Sequence, residues 1–282
     1  MDTRRLGRTG HRSSLAILGA AAFGASTPEE TEAAVVLAVA SGVNHLDIAP
    51  QYGEAQRLLG PLVPRYRDHW FVACKTMRTN PDGVRVQLEE SLGLLGCERF
   101  DLYQVHALTS LADLDARASA FEAIAEARDE GLTRFIGVTG HNVETVEAQV
   151  EAVRRYDLDT VMFPVNPRLW ADTAYRRGAE RLLEVASDRD LGVMAIKAAA
   201  ARPWGDGPRH STTWYEPYTD ESEVERGVRF ALSVPGVHAF CTPGDVNVLP
   251  MALRAAERFA PIDLDTAVDA TRHERMIFPI PS

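Results

Sequence analysis

The chain has 282 residues, 45% hydrophobic and 25% charged, a balance that excludes a disordered polymer and allows one large core. Thirty Lys and Arg against forty Asp and Glu leave a net charge of -10. That disfavours a nucleic-acid partner, which requires a basic face against phosphates.

Three cysteines (Cys74, Cys97, Cys241) without C-x-x-C spacing point to neither a disulfide framework nor a zinc site, so a reducing, cytoplasmic setting is expected. At the N-terminus, Arg4-Arg5 ahead of the apolar stretch Leu15 to Ala25 loosely imitates a twin-arginine export signal. A hairpin turning at Arg8-Thr9-Gly10 and feeding a buried strand makes structural use of the same residues and is preferred. Every apolar run is shorter than the ~20 residues of a membrane span, so no membrane partner is expected.

Short strand-like runs then alternate with amphipathic helical windows. The predicted strands are Leu15–Leu18, Asn44–Asp47, Phe71–Lys75, Asp101–His106, Phe135–Thr139, Thr160–Pro164, Val193–Lys197 and Val237–Thr242. Thr27-Pro28-Glu29-Glu30 supplies an N-cap, a first-turn proline and a capping-box glutamate; Asn80-Pro81 and Thr219-Asp220 with Glu223 mark two further helix starts. Repeated βα units without a flexible linker predict an α/β fold, a single (β/α)8 or TIM barrel over 1–282, preceded by a β-hairpin. A doubly wound sheet is the alternative the pattern leaves open. The interval Ala198 to Tyr218, rich in Trp and Pro and without helical periodicity, is expected to form a lid over the barrel mouth (198–219) after the seventh strand. Residues 263–282 are expected to form a C-terminal extension.

The active site of such a barrel lies where its strands end. Asp47, Tyr52, Lys75 and His106 stand at or just beyond the second, third and fourth strand ends, which are neighbours. Strand alternation points Lys75 inward with Phe71 and Ala73, and groups His106 with Gln104 and Leu102. An inward ammonium requires a partner, and Asp47 is placed to be one. A cation beside Tyr52 favours its phenolate, so its pKa is expected to fall. A neutral His106 then holds a substrate oxygen beside that acid. There is no activated nucleophile and no metal-ligand spacing such as H-E-x-x-H, so the set predicts proton transfer coupled to a hydride brought by a cofactor.

The segments Asn44-His45-Leu46-Asp47 through Tyr52-Gly53, Lys75-Thr76, Phe100-Asp101-Leu102-Tyr103-Gln104-Val105-His106 and Arg134-Phe135-Ile136-Gly137-Val138-Thr139 resemble the aldo-keto reductase family over nearly the whole chain. The resemblance implies an NAD(P)H-dependent oxidoreductase that reduces an aldehyde or ketone, with NADP as the family default. It implies that Tyr52 donates the proton, Lys75 lowers its pKa, Asp47 holds Lys75 and His106 positions the carbonyl. It further implies that Thr139 and Asn166 hold the nicotinamide carboxamide, and that Lys197 and Thr242-Pro243-Gly244 take the ribose and diphosphate.

Departures from the family pattern sharpen the expectations. Gly140-His141 stands where Asn is usual, so the carboxamide contact is in doubt or moves to His141. Gln56 replaces a Glu, and Ile196 occupies the place of an aromatic that stacks on the nicotinamide unless a lid Trp substitutes. The family's 2′-phosphate contacts become Pro243-Gly244-Asp245 and Pro250, so Asp245 is expected to accept from a ribose 2′-hydroxyl, which favours NAD or dual use; Arg202 or Arg209 reaching the phosphate is the competing expectation. Trp170, Trp204, Trp214 and Tyr215 are expected to give the small-molecule carbonyl substrate an aromatic mouth. Two other classes remain compatible with parts of the pattern: a cofactor-binding regulatory or assembly subunit with little turnover, and a metal-dependent hydrolase using His45, Asp47 and His106, disfavoured because Lys75 is a poor ligand. Oligomeric state is not legible in the sequence.

Overall fold

The structure, a computed structural model, describes residues 1–274 and 276–278. Eight parallel strands close into a barrel in chain order: Ala16–Gly19, His45–Asp47, Phe71–Thr76, Phe100–Val105, Thr133–Thr139, Thr160–Pro164, Gly192–Ile196 and Ala239–Cys241. The eighth pairs with the first, Phe240 opposite Ala16 and Cys241 opposite Ile17. Each lies within a few residues of its predicted position, and the closed barrel replaces the doubly wound alternative.

Side chains of period two fill the interior: Ile17, Phe71, Ala73, Leu102, Met162, Met194, Ile196 and Ala239 form one cluster. Leu6 joins it from an N-terminal hairpin, Thr3–Arg5 paired with Arg12–Ser14, which stoppers the end opposite the strand C-termini. The hairpin seats closely because Gly7 has a positive φ and a Cβ there would meet the Gly192 backbone at 2.3 Å.

The helices begin where local chemistry satisfies their free amides. Helix Pro28–Ala40 carries the complete Thr27/Glu30 capping box with Pro28 in its first turn. Helix Pro81–Leu95 is capped by Asn80 and ends at Gly96 in the left-handed region, and helix Glu221–Ser233 is capped by Asp220. Their apolar faces cover the outside of the sheet, leaving strand C-terminal ends and their loops to line a mouth.

The loop 198–219 contains a small antiparallel ladder, Ala200–Arg202 with Glu216–Pro217. Of the expected extension 263–282, helix Leu264–Ala270 and the segment through Glu274 are described, as are Met276 to Phe278; Arg275 and 279–282 lie outside the described residues. Among the described residues no helix is long and apolar enough to cross a membrane.

Candidate active site

The second and third barrel strands run side by side with Asp47 opposite Ala73, so Asp47 and Lys75 project from neighbouring strand ends. Lys75 Nζ lies 2.5 Å from Asp47 Oδ2 and donates to the Ile48 carbonyl at 3.2 Å. Both side chains are sealed from solvent. Burial alone would lower Lys75, but the Asp47 charge more than reverses this and raises it above the ordinary lysine value. Burial raises Asp47 while Lys75 pulls it down. Lys75 is therefore a permanent cation held by a counter-charge that is itself poorly solvated, with Asp47 Oδ1 left without a hydrogen-bond partner.

Tyr52, on the turn after the second strand, is held 5.3 Å from Lys75 Nζ, measured to its ring centroid. The expectation that the neighbouring ammonium gives Tyr52 a lowered pKa is corrected here. Burial raises it and outweighs the downward pull of Lys75, while Asp47 and Cys241 add to the rise. The phenol is thus fully protonated at neutral pH, and Lys75 acts by limiting the cost of losing that proton. Cys241 Sγ sits 3.8 Å from Asp47 Oδ2, and burial pushes its thiol well above the ordinary value, so it is not an activated thiolate.

His106 follows the fourth strand, its backbone N–H donating to the Thr76 carbonyl and its carbonyl clamped by Arg117 Nη1 at 2.7 Å. The imidazole meets the Tyr52 ring edge-on at 5.9 Å between centroids. Burial, then His141, Lys75 and Arg117, hold it well below the ordinary histidine value, so it is neutral. Its Nε2 lies 3.1 Å from His141 Nε2, and its Nδ1 3.4 Å from Gln51 Oε1. The His141 contact was not anticipated: the sequence places His141 near a cofactor, and the structure places it on the ring nitrogen of His106. Nothing in the linear spacing of 35 residues signals it.

Several other predicted site residues are engaged inside the fold. Thr139 Oγ1 accepts from the Ala107 amide at 3.0 Å. Asn166 is fully buried, donating to the Lys197 and Ala200 carbonyls and capping helix Pro167–Trp170. A Cβ at Gly140 would fall 1.6 Å from Thr145 Oγ1, so this glycine serves close packing. Asp245 accepts from the Thr212 amide at 3.0 Å and the Asn247 amide at 2.7 Å, and these bonds with Ser211 hold its carboxyl below the usual range despite burial. Its carboxylate latches the long loop to the eighth strand end, with Thr212 Oγ1 on the Gly244 carbonyl. Thr242 Oγ1 accepts from the Gly19 amide. Pro243 is buried on the same turn.

Arg202 forms a two-pronged pair with Glu216, and Arg209 lies over Trp204. Gln56 reaches Cys74 rather than the mouth. His45 is bonded to Ser13 and packs on Phe71, and among the described residues no cluster of metal-ligand type occurs.

A cavity of about 860 Å³ opens on Tyr52 and His106 and is walled by Gln51, Met77, His141, Val143, Trp214, Met276 and Phe278, with Lys197 at its edge. The aromatic mouth expected from four residues is smaller. Trp214 lies 5.7 Å from the Tyr52 ring, but Trp170 packs on Tyr175 and Phe230, and Trp204 bonds to the Thr213 carbonyl. Tyr215 backs Lys197. Met77, Met276 and Phe278 carry no sequence signal that marks them as wall residues. Ala107 and Lys197, both bordering the cavity, hold φ of 59° and 64°, a strained conformation for residues with a Cβ.

This arrangement provides a protonated phenol, a fixed cation behind it and a neutral imidazole beside it, the groups needed to give a proton to a polarised oxygen. The cavity walls are largely apolar, with Met77, Val143, Trp214, Met276 and Phe278 among them.

Comparison with known proteins identifies the family. D-threo-aldose 1-dehydrogenase from a Pseudomonas species is 30% identical over 225 residues, covering 66% of this chain and 66% of its own. L-galactose dehydrogenase from Arabidopsis thaliana is 28% identical over 180 residues, 57% of this chain and 56% of its own. The chain thus aligns with less than two thirds of the length of these curated relatives. A holo-form aldo-keto reductase from Bacillus halodurans superposes with a TM-score of 0.72 over 96% of both chains at 18% identity, a likeness of fold alone. The family model described as "Aldo/keto reductase family" matches residues 16–206, and with the barrel and strand-end residues above it establishes that this chain belongs to the aldo/keto reductase family, whose members are NAD(P)-dependent oxidoreductases.

Proposed function

We propose that the protein reduces an aldehyde or ketone to an alcohol with NADH or NADPH, Tyr52 acting as general acid. The observation that carries this is the convergence on one cavity of Tyr52, backed by the buried Lys75–Asp47 pair, and His106. The cofactor supplies the hydride when bound. Its ring would meet apolar walls at Met77, Trp214 and Phe278, and by the family resemblance the Thr242–Asp245 turn, which is not part of that lining, would hold its ribose and diphosphate. Carboxamide contacts from Thr139 and Asn166 require those side chains to share hydrogen bonds they already make.

The chain's own residues do the rest. His106, neutral, directs an N–H toward the carbonyl oxygen, in competition with His141. Tyr52 Oη gives that oxygen its proton, and Lys75 stabilises the phenolate left behind. Trp214 and the loop carrying it exclude water from the reacting face.

A panel of aldehydes, ketones and aldoses run with NADH and NADPH in parallel tests the reading. Tyr52→Phe is expected to lower carbonyl reduction by about 100-fold or more while still binding cofactor. Turnover at the unaltered rate by that variant rejects the assignment. Dissociation constants for the two cofactors test the role of Asp245: a preference for NADPH above about tenfold removes any argument that this carboxylate repels a 2′-phosphate.

A further inference from the structure

Lys197 follows the seventh barrel strand with its backbone in the left-handed region. The side chain is 7% exposed, and among the described residues Nζ has no carboxylate and no hydrogen-bond acceptor. Its neighbours are two aromatic faces, Tyr215 at 5.5 Å and Phe278 at 5.6 Å to the ring centroids. Those faces attract a cation and fix its place without neutralising it.

Resemblance assigned this lysine to the nucleotide's ribose and diphosphate with residues 242–244. Its surroundings favour another ligand. Lys197 lines the cavity that contains Tyr52 and His106, whereas none of Thr242, Pro243, Gly244 or Asp245 lines it. Its charge also reaches His141, whose ring touches His106. Glu144, the one acidic residue bordering the cavity among the described residues, is exposed and accepts from Asn142. A buried ammonium without a counter-charge among the described residues, on a largely apolar wall, is completed by an anion from outside.

We propose that Lys197 binds the carboxylate of the substrate, so that the preferred substrates are carbonyl compounds bearing a carboxylate, seated with the carbonyl at Tyr52 and His106 and the anion at Lys197. This rests on the reductase function proposed above. An oxyanion reaching Lys197 has two sources, the substrate and the nucleotide diphosphate, and the experiment separates them.

The test compares 4-formylbenzoate with its methyl ester, near-isosteres that differ in charge, as substrates of the holoenzyme, Lys197→Met and Lys197→Arg. The expected kcat/KM ratio of acid to ester is about tenfold or more in the natural protein, near one in Lys197→Met and partly restored in Lys197→Arg, the scale of one charged hydrogen bond. A ratio unchanged in Lys197→Met overturns the proposal. So does a loss of about tenfold or more in NADH and NADPH affinity with that ratio unchanged, since the amine then serves the nucleotide. A calorimetric titration with benzoate, and benzamide as its neutral control, needs no turnover: benzoate should bind the natural protein and not Lys197→Met. Equal binding of the two compounds overturns the proposal. If neither aldehyde is reduced while benzoate binding depends on Lys197, the reductase function fails and the anion site stands.

Discussion

The same lysine makes a demand on stability that can be measured. Burial lowers Lys197 from the ordinary 10.5 to about 7, with no opposing partner among the described residues. In the unfolded chain the amine keeps its proton up to its ordinary pKa, whereas the folded chain sheds it above about 7. Between those values the unfolded state binds more protons, so this group's contribution makes stability rise with pH. At 1.36 kcal/mol per pH unit, the folded protein forfeits roughly 5 kcal/mol below pH 7, roughly 4 at pH 7.5, roughly 1 at pH 9.5 and nothing above 10.5.

Lys197→Met removes the titrating group and keeps an unbranched chain of similar length. Its stability advantage is therefore expected to shrink by about 2–3 kcal/mol from pH 7.5 to pH 9.5. Urea unfolding followed by circular dichroism at both pH values, with the m value equal for the two proteins, gives the difference directly. Groups common to both proteins cancel, and His141, the neighbour whose titration Lys197 influences, is held well below 6.5 and stays outside the window. An advantage that is flat across this range, or that grows with pH, refutes the account of an uncompensated buried amine.

Asp47→Asn leaves Lys75 sealed without its counter-charge and is expected to cost about 3–5 kcal/mol in denaturation, together with most turnover; a loss below about 1 kcal/mol would mean that Lys75 finds another partner. His141→Asn frees His106 Nε2 from the contact a carbonyl must displace, so KM for the carbonyl should fall about fivefold, the scale of one neutral hydrogen bond; a KM that is unchanged or raised contradicts the competition. Asp245→Ala unfastens the Thr212 amide, and limited proteolysis should then cut within residues 205–213 faster than in the natural protein. Equal cutting rates would show that the latch does not hold the loop.

The strand-end chemistry was legible because it depends on a period of two and on adjacency in chain order. Phe71, Ala73 and Lys75 share a face by alternation alone, and strands adjacent in sequence are adjacent in a parallel barrel, which is enough to bring Asp47 to Lys75. Helix starts at Thr27 and Asn80 were legible because a cap is a contact within three residues. What escaped depends on long-range geometry. The His106–His141 contact joins two loops, the Asp245 latch joins residues 33 apart, and Met276 and Phe278 return from the far end of the chain. Trp170 and Trp204 were misplaced because aromatic content reveals apolar demand and not direction. The sign of the Tyr52 shift was misjudged because a charge partner can be inferred from spacing, whereas the depth of burial opposing it cannot.

Trp214 gives the molecule an optical property. Of its four tryptophans, Trp70 and Trp170 are buried in packing and Trp204 is tied to its own loop, while Trp214 is 45% exposed and faces Tyr52 across the cavity. Fluorescence from this indole is therefore a built-in gauge of occupancy: a guest that shields it shifts its emission toward the blue, against a steady background from the other three. Dark-state titrations of inhibitors that never react become readable without a dye, a label or a second substrate.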